Sequence, residues 1–129
     1  MRSLKRSRQR GSSLLETALV VPLLLFILAG VVDIGLAYHT YIVMINAARE
    51  GARYGINHPW DTSGIRARVL NEAYNSDVDL SEATITVDTQ GPGTPVRVTV
   101  RLNYSTVVMG SILGLPSFPI EASATFRAR

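Results

Sequence analysis

A long apolar run directly behind a short basic segment constrains this chain most. The run extends from Leu14 to about Ile45, and little interrupts it except Glu16, Pro22, Asp33 and His39. As an α-helix, its uncharged part from Thr17 to Val32 is about 24 Å long, slightly shorter than a bilayer core of about 30 Å. Continuation past Asp33 makes the helix long enough, so the sequence predicts one N-terminal membrane-spanning helix.

The basic charge of the chain is concentrated at its N-terminus. Five of the 13 basic residues, and none of the acidic ones, precede the apolar run: Arg2, Lys5, Arg6, Arg8 and Arg10. Residues 12–129 then carry 8 basic and 10 acidic residues, a net charge of −2. The overall charge of +3 is therefore a topology signal and not a nucleic-acid-binding surface. The basic end is expected in the cytoplasm and the C-terminus outside.

Three kinds of N-terminal segment combine a basic leader with an apolar run. A cleaved secretory signal has an apolar region of about 7–15 residues and a small-x-small cleavage site, and this run is longer and lacks such a site. A permanent membrane anchor fits the run, and so does a prepilin, which is inserted, trimmed and then extracted into a filament. A carboxylate at the start of a membrane helix is costly unless something compensates it. Gly11 followed five residues later by Glu16 resembles a prepilin processing site, and this resemblance favours the prepilin.

The helix is expected to continue beyond the bilayer and to end near Gly55–Asn57, since Pro59 disfavours a helical His58. Pro22 is expected to kink it. Small residues form two neighbouring stripes on its second half: Ala47, Gly51 and Gly55, with Ala48 and Ala52 beside them. Such residues permit close approach of another backbone. They pack either against a second subunit or against the chain's own C-terminal domain.

Residues 58–129 predict a small α+β domain with one helix packed on a three-stranded antiparallel sheet. Thr62 or Ser63 is the expected cap of a helix over Gly64–Asn75, whose apolar face consists of Ile65, Val69, Leu70 and Ala73. Alternating apolar residues predict strands over 83–87, 96–102 and 120–126, and the turn-forming stretch Gln90–Pro95 joins the first two as a hairpin. An apolar segment, Thr106–Ile112, and a Gly/Pro-rich connection, Leu113–Pro119, precede the third strand.

Residues capable of chemistry are sparse. The chain has no cysteine, and no paired acidic ligands lie near His39 or His58 in the sequence, so no metal site or cofactor is expected. The acids after Asn75 resemble half of a calcium loop, but Leu80 and Thr86 occupy positions that require Gly and Glu. No phosphate-binding loop or nucleophile–base pair is present in the sequence. The chain is therefore not expected to be an enzyme.

Residues 11–56 resemble the conserved segment of TadE-like minor pilins, or pseudopilins, of the tight-adherence (Tad) pilus, in the type IV filament superfamily. Four stretches carry the resemblance: Gly11 with Glu16, Ala18–Leu25, Gly30–Gly35 and Asn46–Tyr54. One departure is Thr17, where an aromatic residue commonly follows the glutamate.

The resemblance implies three segments: a basic prepilin leader (1–11), a long helix that first spans the membrane and then joins a filament core (12–57), and an extracytoplasmic domain (58–129). A prepilin peptidase would cleave between Gly11 and Ser12, and Glu16 would guide assembly. The implied partners are the lipid bilayer before assembly, the Tad inner-membrane assembly platform, and other pilin subunits contacted through N-terminal helices. The implied location is the cytoplasmic membrane, then a surface filament used in adhesion. A permanently anchored scaffold or binding protein of the cell envelope is the alternative.

Overall fold

The longest element is helix α1, on which most of the other elements pack. The computed structural model describes the backbone of residues 4–127 and the side chains of residues 12–127. The side chains of the basic leader therefore lie outside the described part. Helix α1 runs from Leu4 to Asn57, 54 residues, or about 80 Å. It continues through Pro22 and ends within the predicted range, just before His58 and Pro59.

Three antiparallel strands form a sheet in the order β1-β2-β3: β1 at Thr84–Asp88, β2 at Val96–Tyr104 and β3 at Phe118–Phe126. Val87 pairs with Val98, and Val100 pairs with Ala122. Because side chains alternate between the two faces of a strand, Val96, Val98 and Val100 are buried while Arg97 and Arg101 are exposed. The predicted hairpin and third strand are confirmed.

The second helix, α2, spans Thr62–Asn75 and buries Ile65, Val69 and Ala73, as predicted. Leu70, expected on the same face, is 37% exposed. The predicted cap was wrong by one or two residues, because Asp61 caps the helix. Its carboxylate accepts the Gly64 N–H at 2.9 Å, which makes Thr62 the first helical residue.

A third short helix, α3, spans Val108–Leu113 between β2 and β3. The sequence predicted only an apolar segment here. Six residues are too few to form a stable helix by themselves, and the segment contains Gly110, a weak helix former. The chain leaves the helix at Gly114, whose φ of 63° is accessible to glycine. Helix α3 must therefore be held by contacts with the rest of the molecule.

Both long helices pack on one face of the sheet, and the second half of α1 provides the centre of the core. Its five small residues all lie inside the chain's own domain: Ala47, Ala48, Gly51, Ala52 and Gly55. A Cβ atom added to Gly51 would lie 2.6 Å from Val69 Cγ2, and one added to Gly55 would lie 2.8 Å from Val96 Cγ1. The glycines thus let α2 and β2 approach the α1 backbone closely.

We expect Gly51→Leu to destabilise the domain. Leucine relieves a helix-propensity cost of about 1 kcal/mol, but overfilling a packed site typically costs about 1–3 kcal/mol, and Val69 is too close to yield easily. Thermal melts of the full chain in detergent should show a lower Tm. Gly35→Leu is the matched control on the same helix, because nothing lies within 4 Å of an added Cβ there. Equal melting temperatures for the two variants would contradict this packing.

Candidate functional site: the uncovered apolar helix and its boundary at Asp33

The first half of α1 is not covered by the domain. Every residue from 12 to 32 is exposed except the half-buried Ala29 and Gly30. Its large side chains, such as Leu14, Leu19 and Val31, are exposed by 72%, 70% and 61%. Residues 12–32 form about 31 Å of helix, which matches the thickness of a bilayer core. Helix α1 is therefore long and apolar enough to cross a membrane.

Glu16 lies near the start of this uncovered surface. Its side chain is exposed and makes no hydrogen bond or ion pair within residues 12–127. The hydroxyl of the neighbouring Thr17 donates a hydrogen bond to the Ser13 carbonyl within the same helix, at 3.0 Å. Ser12 is also exposed, and the Gly11–Ser12 bond lies within the continuous helix. A carboxylate with no partner among the described side chains is costly in a membrane, so Glu16 can attract a cationic group.

Asp33 marks the boundary between the uncovered and covered halves of α1. It is only 4% exposed, and its carboxylate accepts three backbone N–H groups at the start of α3. Oδ1 accepts from Val107 at 3.0 Å and from Val108 at 2.9 Å, and Oδ2 accepts from Met109 at 2.7 Å. These N–H groups lack partners inside the helix, so Asp33 takes the role of a capping side chain. Its negative charge also suits a helix N-terminus.

This contact was missed by sequence reasoning. In the sequence Asp33 is only an interruption of the apolar run, and no pattern predicts a helix over residues 108–113. The sequence contains no signal that points to Asp33, because Thr106 is a common capping residue and lies close to the start of α3. In the structure, however, Thr106 Oγ1 is buried and has no partner among the described residues. The carboxylate of Asp33 accepts the N–H groups of the first turn instead.

A second polar cluster joins the end of α1 to α2. The Tyr54 hydroxyl donates to Asp61 Oδ2 at 2.9 Å, and the His58 ring stacks on Tyr54 with centroids 4.5 Å apart. Hydrogen bonds from Gly64 N–H, Ser63 and Tyr54 hold the pKa of Asp61 below its ordinary value of 3.8. Each donor serves a cap or a packing contact, so the cluster stabilises the domain rather than performing chemistry.

The histidines and the acidic stretch after α2 do not come together as a metal site in the described part of the chain. His39 is exposed on α1 and His58 is stacked. In the acidic stretch, Asp77 adopts a left-handed φ of 57° after α2, and the Val78 N–H donates to the Ala73 carbonyl, a common helix-ending arrangement. Asp79 accepts the Ser81 N–H at 2.8 Å. Among the described side chains, no three His, Cys, Asp or Glu residues are grouped to hold a metal.

The structure thus separates the predicted site residues into two groups. The five small residues are brought together with α2 and β2 inside the domain. Glu16 and Ser12 lie on the uncovered helix, away from the domain. Asp33 lies between these groups, at the point where the domain begins.

The fold and its surface define a protein with a small α+β domain and one helix suited to membrane anchoring. The family model described as TadE-like protein matches residues 11–53, about a third of the chain. This match confirms the resemblance inferred from the sequence over residues 11–53. Comparisons with curated proteins and with solved structures give no match.

We expect the domain to lose stability in acid partly through Asp61. Because its folded pKa is lowered, its stabilising contribution is complete above the unfolded value and is lost as pH falls below about 4. Asp61→Asn retains a good capping side chain but cannot titrate. Melts of the full chain at pH 7 and pH 3 should show a smaller decrease in Tm for Asp61→Asn than for the wild type. Equal decreases would exclude this contribution.

Proposed function

We propose that this chain is a pilin-like subunit, a minor pilin or pseudopilin, of a tight-adherence type IV-like pilus that takes part in pilus assembly and surface adhesion. The observation that carries the proposal is the uncovered apolar helix of residues 12–32, near whose start Glu16 has no partner among the described side chains. The family match supports it, because it begins at Gly11 and includes the whole uncovered stretch.

The uncovered helix requires an apolar environment at every stage. Leaving one large apolar side chain in water instead of burying it costs about 1.5–3 kcal/mol, and most of residues 14–32 are of this kind. Two environments supply what is needed: the hydrocarbon of a bilayer and the corresponding helices of other subunits. The proposed life of the subunit uses both, first as a single-pass membrane protein and then in the core of a filament.

The basic leader opposes the transfer from bilayer to filament. Its five cationic side chains favour the cytoplasmic face, and moving even one charge through the membrane centre costs several kcal/mol. Cleavage by a prepilin peptidase after Gly11 would remove all five. It would also create an α-amino group on Ser12, close to Glu16 in sequence. Between adjacent subunits, this ammonium group is a natural partner for the Glu16 carboxylate.

The remaining proposed partners are those of the membrane-inserted subunit and of the subunit in the filament. Before assembly the helix lies in the lipid bilayer, with its N-terminus in the cytoplasm and the domain outside. The Tad inner-membrane assembly platform would then pass the subunit to other pilins, with contacts through the N-terminal helices. Nucleic acid is not a proposed partner, because residues 12–129 have a net charge of −2. No enzymatic activity and no cofactor are proposed.

The alternative is a permanently anchored scaffold or binding protein of the cell envelope. One observation favours it: α1 is continuous from Leu4 to Asn57, so the Gly11–Ser12 bond lies in a helical turn that a peptidase must open. In this alternative the leader stays attached, and Glu16 remains near the lipid headgroups. Processing therefore distinguishes the two functions.

We expect cleavage between Gly11 and Ser12 when the chain is co-expressed with a prepilin peptidase. The mass of the intact mature protein should be lower by residues 1–11, with Ser12 as the new N-terminus. Gly11→Leu should leave a full-length membrane-bound precursor, because a large side chain blocks the approach of the backbone to the active site. Gly35→Leu, remote from the bond, should be processed normally. A mature protein that begins at any other residue would remove the main support for a pilin.

We expect Glu16→Gln, which removes the charge but keeps the size, to permit cleavage and to reduce incorporation into pili. The reason is the loss of the proposed ion pair with the Ser12 α-amino group. Thr17→Ala, a change at the next exposed position, should assemble as the wild type does. Purified pili analysed by mass spectrometry measure incorporation. Wild-type amounts of Glu16→Gln in normal pili would refute the pairing role.

A further inference from the structure

We propose that the α3 segment, residues 105–117, is a second membrane contact of the subunit. It lies in the interface of the leaflet nearest the domain, with its apolar side chains among the lipid acyl chains. This inference rests on the membrane-inserted state in the proposed function. It requires neither cleavage nor filament assembly.

The contact with Asp33 sets the depth of the α3 segment. Leu14 to Asp33 comprises 20 residues, about 30 Å of helix, which equals the hydrocarbon thickness of a bilayer. With Leu14 at one boundary, Asp33 lies at the other. The three hydrogen bonds from residues 107–109 hold the start of α3 beside Asp33. Helix α3 therefore begins at the level where hydrocarbon gives way to headgroups.

The composition of this region is unusual for a loop exposed to water. No charged residue lies between Arg101 and Glu121. The region is also not absorbed into the core, because several large apolar side chains are exposed by 45–61%: Val107, Ile112, Leu113 and Leu115. Clustered exposed apolar residues mark an interaction surface. The lack of charge favours lipid over a partner that is recognised by ion pairs.

The apolar surface of α3 is continuous with that of the uncovered helix. A cleft between them is lined mainly by apolar side chains, including Ile34 and Tyr38 of α1 with Met109, Leu115 and Phe118. Tyr38 is 63% exposed, and the rings of Tyr104 and Phe118 pack 5.6 Å apart. Tyrosines are enriched where hydrocarbon meets water. The bilayer that surrounds residues 14–32 would therefore also reach this cleft.

Tryptophan quenching in lipid tests the inference on the full-length chain. The chain has one tryptophan, so Trp60→Phe provides a background for a single new tryptophan at Leu113. In nanodiscs of phosphatidylcholine brominated near the top of the acyl chain, Leu113→Trp should emit at short wavelength and be quenched strongly. Tyr74→Trp, on the 79% exposed position of α2, should emit at long wavelength and remain unquenched.

Two further variants separate the possible failures. Leu25→Trp lies within the uncovered helix and should be quenched by bromines deep in the bilayer. If it is not, the membrane-inserted state is wrong, and the inference fails with it. If Leu25→Trp is quenched but Leu113→Trp behaves like Tyr74→Trp, only the inference is overturned. Short-wavelength emission from Leu113→Trp without quenching would mean that a second copy covers α3, which also overturns a lipid contact.

The role of Asp33 can be tested in the same samples. Adding Asp33→Ala to Leu113→Trp removes the three hydrogen bonds that hold α3. The tryptophan should then lie at more variable depths in the bilayer, and its quenching should become weaker. Circular dichroism of this variant reports whether the sheet and long helices persist. Unchanged quenching in a folded Asp33→Ala protein would show that Asp33 does not set the depth of α3 and would overturn that part of the inference.

Discussion

The carboxylate of Asp33 is the interaction on which the arrangement of this molecule depends. A charged group on a membrane-length helix must be compensated, and here the free N–H groups of α3 supply the compensation. In return, a helix too short to persist alone gains its cap. The contact joins residues more than 70 positions apart in the chain and places one end of the sheet beside Asp33. It therefore determines where the bare helix ends and the domain begins.

Beyond Asp33, α1 packs against the rest of the domain. Small residues over 47–55 bring α2 and β2 close to the helix backbone, so its second half belongs to the domain core. Its first half lies outside this core, and its apolar surface is uncovered among the described residues. One continuous helix thus has a buried half made of small residues and an exposed half made of large apolar residues. The proposed function needs this division, because residues 12–32 would change environment while the domain remains folded.

Much of the fold could be predicted because its signals are local. Period-two alternation identified the three strands, and the apolar run identified the long helix. Two features could not be predicted in this way. Helix α3 has only six residues, too few for its periodicity to identify a helix, and its cap is distant in sequence. The stripe of Ala47, Gly51 and Gly55 indicated close packing but not its partner, since spacing alone does not distinguish α2 of the same chain from a neighbouring subunit. The roles of Gly11 and Glu16 depend on family resemblance, because Gly11 lies outside the residues whose burial is described and Glu16 is exposed on the uncovered half of α1.

The covered part of α1 begins at Asp33, and the exposed surface of residues 12–32 is available to a membrane. Because the chain has no cysteine, spin labels can be placed singly along residues 14–57 in nanodiscs and their accessibility to oxygen and to a water-soluble reagent measured. We expect high oxygen accessibility on all faces up to Leu28, because only Ala29 and Gly30 are half-buried before Asp33. Beyond Asp33 we expect a helical period in which Ala47 and Ala48 are inaccessible to both reagents. Accessibility of these two positions to either reagent, or protection within residues 14–28, would contradict this boundary.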